Sequence, residues 1–301
     1  MCDSLILCRT CNSQRQKVYL NAKDLNQAKS NESFTYYRCN DCGSLFIYPV
    51  PSNLSFYYGQ DYPAYTLKNS REVESHTEYL EQAKLNIVKR YVSSGRLIEI
   101  GPAAGRFLTT AKQAGYNVLA IEQDAGCVSH IKDTLNIEVI FSNNPSDALL
   151  KLTSSIDVIV AWHVIEHLEN LREFVSAAAN ALRKPNGRII LSAPNPESWS
   201  FRVFGRFWVH LDAPRHLTLI PPKSLDALMA EYGLEKVACF FDDPVSLHLN
   251  RLGWKVSLMN LSRNKKLRWP LLAALGKILS IAMLLLDRLQ GKGAAYTAIY
   301  K

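Results

Sequence analysis

From about residue 95 the chain alternates short apolar runs with amphipathic ones. Arg96–Ile100 predicts a strand, Gly105–Ala114 a helix, and Asn117–Ile121 a second strand ending at Glu122. A helix is expected over roughly 125–135 and a third strand over Ile137–Phe141. Ile156–Ala161 is apolar except for Asp157, the pattern of a strand buried on both faces of a parallel sheet. A helix over Leu171–Leu182, a turn at Pro185-Asn186-Gly187 and a fifth strand over Arg188–Ala193 follow. Ala294–Tyr300 reads as a closing strand. Repeated strand–helix units of this length predict an α/β fold built on a doubly wound sheet.

Two stretches break the rhythm. Before it, Val18–Leu20 and Phe34–Tyr37 read as short strands, 52–70 is rich in aromatics, and 74–93 reads as a helix with Leu80, Leu85, Ile87 and Val88 as its apolar set. Near the end, no acidic residue stands between Asp243 and Asp287, while Arg251, Lys255, Arg263, Lys265, Lys266, Arg268 and Lys277 do. That basic stretch leads into an apolar run, Trp269–Leu286, interrupted by Gly276, Lys277 and Ser280. A spanning helix needs about 20 predominantly apolar residues, so we read a helix lying in an anionic membrane surface over 251–286, basic collar first. The competing reading packs it on its own domain or a second copy. The division is thus 1–50, an N-terminal module; 51–93, a helical and aromatic linker; and 94–301, the main domain with a helical insertion at 245–290.

Composition adds little. Among 301 residues, 48% are apolar and 21% charged, which excludes a mostly disordered chain. The net charge of +8 suits an anionic partner without choosing among nucleic acid, lipid and phosphorylated small molecule. The opening Met1–Cys11 has no basic region and no long apolar run, so no secretory leader is expected. A reducing, cytoplasmic setting follows, with the chain peripheral on the inner face of a membrane.

Seven cysteines include two CxxC pairs, Cys8/Cys11 and Cys39/Cys42, with 27 residues between the pairs. Two such knuckles can give four thiolates to one structural Zn²⁺. Gly43, directly after the second pair, supplies the positive φ that a knuckle needs. With short strands between the pairs, the module reads as a zinc ribbon, its metal closed to catalysis.

In doubly wound sheets the ligand sits beyond the C-terminal strand ends. The first such loop is Glu99-Ile-Gly101-Pro-Ala103-Ala-Gly105-Arg106. A dinucleotide fingerprint fails at Ala103 and Arg106. Glu122, 21 residues after Gly101, can accept both hydroxyls of a ribose. Glu99, Gly101 and Gly105 fit the pattern [D/E]-x-G-x-G-x-G, with Ala103 the departure, and the loop resembles motif I of class I S-adenosylmethionine-dependent methyltransferases. Asp157–Leu168 resembles the fourth-strand segment of the small-molecule and lipid members, Leu182–Asn195 their L-K-P-G-G…P-N segment, and Asp212–Leu217 a later element. The resemblance spans roughly 80–301. It implies a seven-stranded, mostly parallel Rossmann-like sheet with S-adenosylmethionine as cofactor. Carried over, Glu99, Gly101, Ala103 and Gly105 surround the amino-acid half, Glu122 the ribose and Asn143 the adenine. Trp162 and His163 then border the sulfonium and substrate, and by the same resemblance the 51–93 linker lies over the cofactor. Ala103 fits if its φ is negative.

Four histidines fall near the expected cleft: His163, His167, His210 and His216. His163, His167 and His216 are the catalytic candidates, suited to accept a proton near neutral pH. His163, just past the strand end, comes first; His167 and His216 have a competing structural reading, bonding loop backbone. His163 and His167 share a face if a helix starts there, but no third metal ligand is evident. The leading function is methyl transfer to a small-molecule, sugar or lipid-linked acceptor. An RNA methyltransferase and a non-catalytic zinc-ribbon membrane adaptor are the alternatives. Against RNA, the Asp157 segment lacks the Asn/Asp-Pro-Pro-Tyr/Phe pattern of base-amino enzymes.

Overall fold

The computed structural model describes residues 6–58, 71–262, 265–289 and 291–301. Three N-terminal strands, β1 (Gln16–Ala22), β2 (Phe34–Cys39) and β3 (Leu45–Ile47), precede helix α1 (Arg71–Lys89). The main domain then runs β4 (Arg96–Ile100), α2 (Arg106–Gln113), β5 (Asn117–Glu122), α3 (Ala125–Ser129), β6 (Glu138–Phe141), α4 (Pro145–Leu149) and β7 (Val158–Trp162). It continues through α5 (Leu171–Ala181), β8 (Arg188–Pro194), α6 (Trp199–Phe204), β9 (Thr218–Leu219), α7 (Pro222–Glu231) and β10 (Lys236–Phe240). Helices α8 (Pro244–Asn260) and α9 (Lys265–Leu289) lead to β11 (Ala295–Tyr300).

The large sheet has the order β10-β11-β8-β7-β4-β5-β6. Only β11 runs antiparallel to its neighbours. The seven-stranded, mostly parallel sheet is therefore as expected. Its strands are apolar because both faces are covered. On one face α5 buries Leu171, Phe174, Val175 and Ala178, its i, i+3, i+4, i+7 stripe, beside Leu225 and Leu228 of α7. On the other, Leu85 and Val88 of α1 meet Phe107, Leu108 and Ala111 of α2. Strand order reverses between β4 and β7, where a ligand crevice forms. Helix α4 was not expected from the pattern; Asn144 caps it by accepting from the Ser146 amide. The helix expected over 125–135 ends at Ser129, and a wider π turn covers His130–Thr134.

The N-terminal strands form a second sheet, β1-β2-β3-β9. Its last strand comes from residues 218–219, with Leu45 opposite Leu219 and Phe46 opposite Thr218. Tyr36, Leu45 and Ile47 share a core with Phe201, Phe204, Trp208 and Trp254. The aromatics Phe201, Phe204 and Trp208 that follow β8 thus fasten the N-terminal sheet to the main domain.

The insertion is a packed helix pair. Gly276 of α9 admits close approach, since a Cβ there would lie 2.8 Å from Lys255 Cα. Gly276, Ser280 and Asp287 face inward, and Trp254 donates to Asp287 at 2.9 Å. Leu271, Leu275, Ile278, Ile281 and Leu285 face outward. By length and composition alone, Pro270–Arg288 is long and apolar enough to cross a membrane. The side chains of 263–269, Trp269 included, lie outside the described residues, as do Cys2, Asp61 and Tyr62.

Candidate active site

A cleft of about 1150 Å³ opens at the C-terminal ends of β4, β5 and β7. It has room for two ligands of ordinary size, since single-ligand pockets run about 300–1,000 Å³. Of the expected cofactor residues, Glu99, Gly101, Ala103, Glu122, Asn143 and Trp162 line it.

The first half is built by the β4–α2 loop. Gly101 has φ +61, and a Cβ there would press on Val164 at 2.9 Å. Ala103 has φ 50, not the negative value that would suit its methyl group. The left-handed turn aims its N–H at Glu122 Oε2, 2.9 Å away, and that bond holds it there. Gly105, with φ +71, packs against Leu135 and Ile131 instead of lining the cleft. It was expected among the residues around the amino-acid half of the cofactor; its smallness serves loop packing.

Glu122 ends β5 with Oε1 accepting from the Gln123 and Asp124 amides at 2.8 and 2.9 Å. Burial pushes its pKa up, and these amides pull it back. Glu99 is deeper, and its Oε2 has no hydrogen-bond partner among the described residues. Burial raises Glu99 to about 8; Lys84 opposes the rise, and Glu81 and Glu122 add to it. Glu81 and Lys84 pair at 2.9 Å on α1, and Lys84 lies 5.7 Å from the Trp162 ring centre. Sequence reasoning missed both, although they are the polar positions beside Leu80, Leu85 and Val88 on that helix.

The second half gathers side chains from distant segments. His163 follows β7 in a left-handed conformation, φ 58, and Ile165–His167 is a single 3₁₀ turn. No helix starts at His163, so His163 and His167 do not share a helical face. His163 Nδ1 lies 3.4 Å from Glu166 Oε1, while its Nε2 is buried with no hydrogen-bond partner among the described residues. Burial, with Lys84 adding to it and Asp243 opposing, lowers His163 to about 4. Leu217 N–H donates to the Glu166 carbonyl at 2.7 Å, which brings His216 alongside. The His167 and His216 rings meet edge to face with centres 4.6 Å apart. His216 Nδ1 donates to the His210 carbonyl at 2.8 Å. His167 Nδ1 lies 3.1 Å from the Arg215 carbonyl and 2.7 Å from Tyr58 Oη. Both rings therefore bond loop backbone and still face the cleft. His210 instead donates Nε2–H to the Leu249 carbonyl.

Beneath them is an ion cluster in which Arg215 and Asp24 are fully buried and Asp212 reaches the cleft. Arg215 bonds Asp24 and Asp212 at 2.7 Å each, and its Nε donates to Asp212 at 2.9 Å. Tyr36 of β2 donates to the His216 carbonyl at 2.8 Å. The Asp24, Tyr36 and Arg215 contacts were not foreseen; no local spacing announces them.

The four paired cysteines converge, their Sγ atoms within 4.8 Å of one another. Cys8–Cys42 and Cys11–Cys39 are each 3.6 Å apart, far beyond a disulfide of about 2.05 Å. The knuckles match: Asn12 and Gly43, each after a second cysteine, have φ 56 and 75 and donate to the Cys8 and Cys39 carbonyls. This set could hold a tetrahedral metal.

Sheet order, loop and cleft define a Rossmann-like methyltransferase fold. The methyltransferase-domain family matches residues 73–238, and the chain belongs to that family. It is an S-adenosylmethionine-dependent methyltransferase. It resembles a ubiquinone biosynthesis O-methyltransferase of Ruegeria pomeroyi, 26% identical over 56% of this chain and 70% of the relative. It also resembles one of Cereibacter sphaeroides, 24% identical over 54% and 67%. Among solved structures, geranyl diphosphate methyltransferase shares the fold, with a TM-score of 0.50 and 14% identity over 74% of this chain and 78% of that one.

Proposed function

We propose that this enzyme methylates a small, lipid-soluble or lipid-linked acceptor, at an oxygen, beside a membrane surface. The observation that carries the reading is the division of one cleft into a carboxylate-lined half and a histidine-lined half that meet at Trp162 and His163. S-adenosylmethionine supplies the methyl group on a sulfonium. Glu122 takes the ribose hydroxyls, Glu99 the amino-acid end, and Asn143 the adenine. The second half holds the acceptor in line, and alignment supplies most of the rate. In that arrangement the cleft residues would hold the acceptor hydroxyl toward the methyl group, and His163 Nε2 would take the acceptor's proton as the methyl group is transferred. Glu166 faces the imidazolium so formed.

The cations lining the cleft are Lys84 and Arg106, against Glu81, Glu99, Glu122, Glu166, Glu169 and Asp212. That balance favours a small acceptor over RNA, whose phosphates need a basic groove. The outward stripe on α9, from Leu271 to Leu285, spans about 21 Å at 1.5 Å per residue. With Arg251, Lys255 and Lys277 on the same helix pair, it suits an anionic bilayer at the cytoplasmic face. The four cysteines suit Zn²⁺, because Zn–S bonds of about 2.3 Å place tetrahedral sulfurs roughly 3.8 Å apart. Incubation with methyl-labelled S-adenosylmethionine and a membrane extract tests the reading. Label in the organic phase supports it; label in RNA favours the alternative enzyme; no transfer despite cofactor binding leaves the adaptor.

A further inference from the structure

We propose that the acceptor half of the cleft holds a divalent first-row transition-metal ion on Glu166, His167 and His216. One ligand atom from each lies within 4.8 Å of the other two. The second observation is Glu166 itself. Its side chain is 1% exposed, and neither carboxylate oxygen has a hydrogen-bond partner among the described residues. Its neighbours are His163 Nδ1 at 3.4 Å and His216 Nε2 at 4.0 Å, both facing Oε1. A buried carboxylate left so is costly unless something cationic completes it.

The imidazoles are set as ligands are. His216 donates Nδ1–H to a backbone carbonyl, and His167 turns Nδ1 to the Arg215 carbonyl and Tyr58 Oη. This outer bond is the usual partner of a metal-ligating histidine, fixing the tautomer with its lone pair on Nε2. Asp212 Oδ2, 3.9 Å from His216 Nε2, adds negative charge nearby. Ligand atoms about 2.1 Å from one ion lie roughly 3 Å apart, so binding draws the three together by side-chain rotation. Two imidazoles and one carboxylate suit Zn²⁺, Co²⁺, Mn²⁺ or Fe²⁺ and leave coordination positions open. Glu166, His167 and His216 all line the cleft, so an ion held there could take oxygen donors of the acceptor. This role rests on the methyl-transfer reading; the binding of the ion does not.

The test adds Co²⁺ to purified protein carrying one zinc per chain, an amount that fills the four-cysteine cluster and leaves the second site free. The expected result is one Co²⁺ per chain, with weak visible bands and no near-ultraviolet thiolate absorption. Glu166→Gln and His216→Ala are expected to weaken it at least about 10-fold while still binding S-adenosylmethionine in a calorimeter. Failure of a variant to bind that cofactor would mark misfolding. The wild-type protein then decides, through shifts of the His167 and His216 ring ¹⁵N resonances on adding Co²⁺. No binding, unshifted rings, undiminished affinity in both folded variants, or uptake only with thiolate absorption and zinc release would each overturn the site. Absence of S-adenosylmethionine binding to the wild type would sink the methyl-transfer reading and leave this one standing.

Discussion

The two halves of the cleft are built by opposite means. The half proposed for the cofactor is local: Glu99, Gly101 and Ala103 sit in one strand–loop–helix unit, and Glu122 ends the adjacent strand. The acceptor half is assembled from Tyr58, His163, Glu166, His167 and His216, underlain by Asp24, Tyr36 and Arg215. One half rests on a sheet buried on both faces. The other rests on a 3₁₀ turn and a loop pinned by a buried ion cluster and by the N-terminal sheet. The contrast assigns the cysteine module a task. By completing its sheet with β9 and bonding the His216 carbonyl, it holds the acceptor loop in register. Disturbing it should harm one half and spare the other.

The largest expected effect is on Arg215. Replacing it with Met leaves Asp24 and Asp212 buried without their partner, and breaking such a cluster costs about 3–5 kcal/mol. Thermal and urea unfolding of Arg215→Met should show a loss of that order; a negligible loss would mean that the acceptor loop does not depend on the cluster. Next comes the four-cysteine cluster, with the zinc proposed for it. Stripping zinc should lower kcat/KM for the acceptor by about 100-fold, the scale of a 1 Å misplacement. The dissociation constant for S-adenosylmethionine should hardly change. Equal loss in both would erase the distinction drawn above.

A pH titration sharpens the cofactor half. Glu99 is raised to about 8 by burial, with Lys84 opposing and Glu81 and Glu122 reinforcing. A cationic amino group bound beside it favours the ionised carboxylate. Cofactor affinity should therefore rise with pH through neutrality, by up to about tenfold per unit, and level off above 8. In Glu99→Gln the rise should disappear; a rise that persists would place the amino group elsewhere. The sign for stability is opposite. The folded carboxyl holds its proton where the unfolded one has lost it, so Glu99 contributes less as pH climbs toward 8. The smallest effect is at Ala103, whose φ of 50 costs of order 1 kcal/mol. Ala103→Gly should relieve the strain and raise the melting temperature slightly, with cofactor affinity kept. Destabilisation would mean that the methyl group is packed.

The parallel core was readable because its strands are apolar throughout and its helices carry one apolar stripe each. The cofactor loop was readable because a tight turn at a strand end needs glycines at fixed spacing. Spacing does not reveal the packing at Gly105, where a Cβ would meet Leu135. Histidine spacing misled, since the backbone turns left-handed at His163 and no helix begins. Glu166 lay in view between two histidines, but its importance comes from burial and from Leu217 drawing His216 to it. Contacts such as Asp24 with Arg215 leave no periodic trace, so an acceptor half made of them could not be read from spacing.

The most direct test is calorimetric titration of S-adenosylmethionine into the wild-type protein and Glu122→Ala. The account predicts a single site of micromolar affinity, at least tenfold weaker in Glu122→Ala because a charge-assisted hydrogen bond is worth about 1.5–3 kcal/mol. No heat with the wild type, or equal affinity for the two, would contradict the assignment of this cleft.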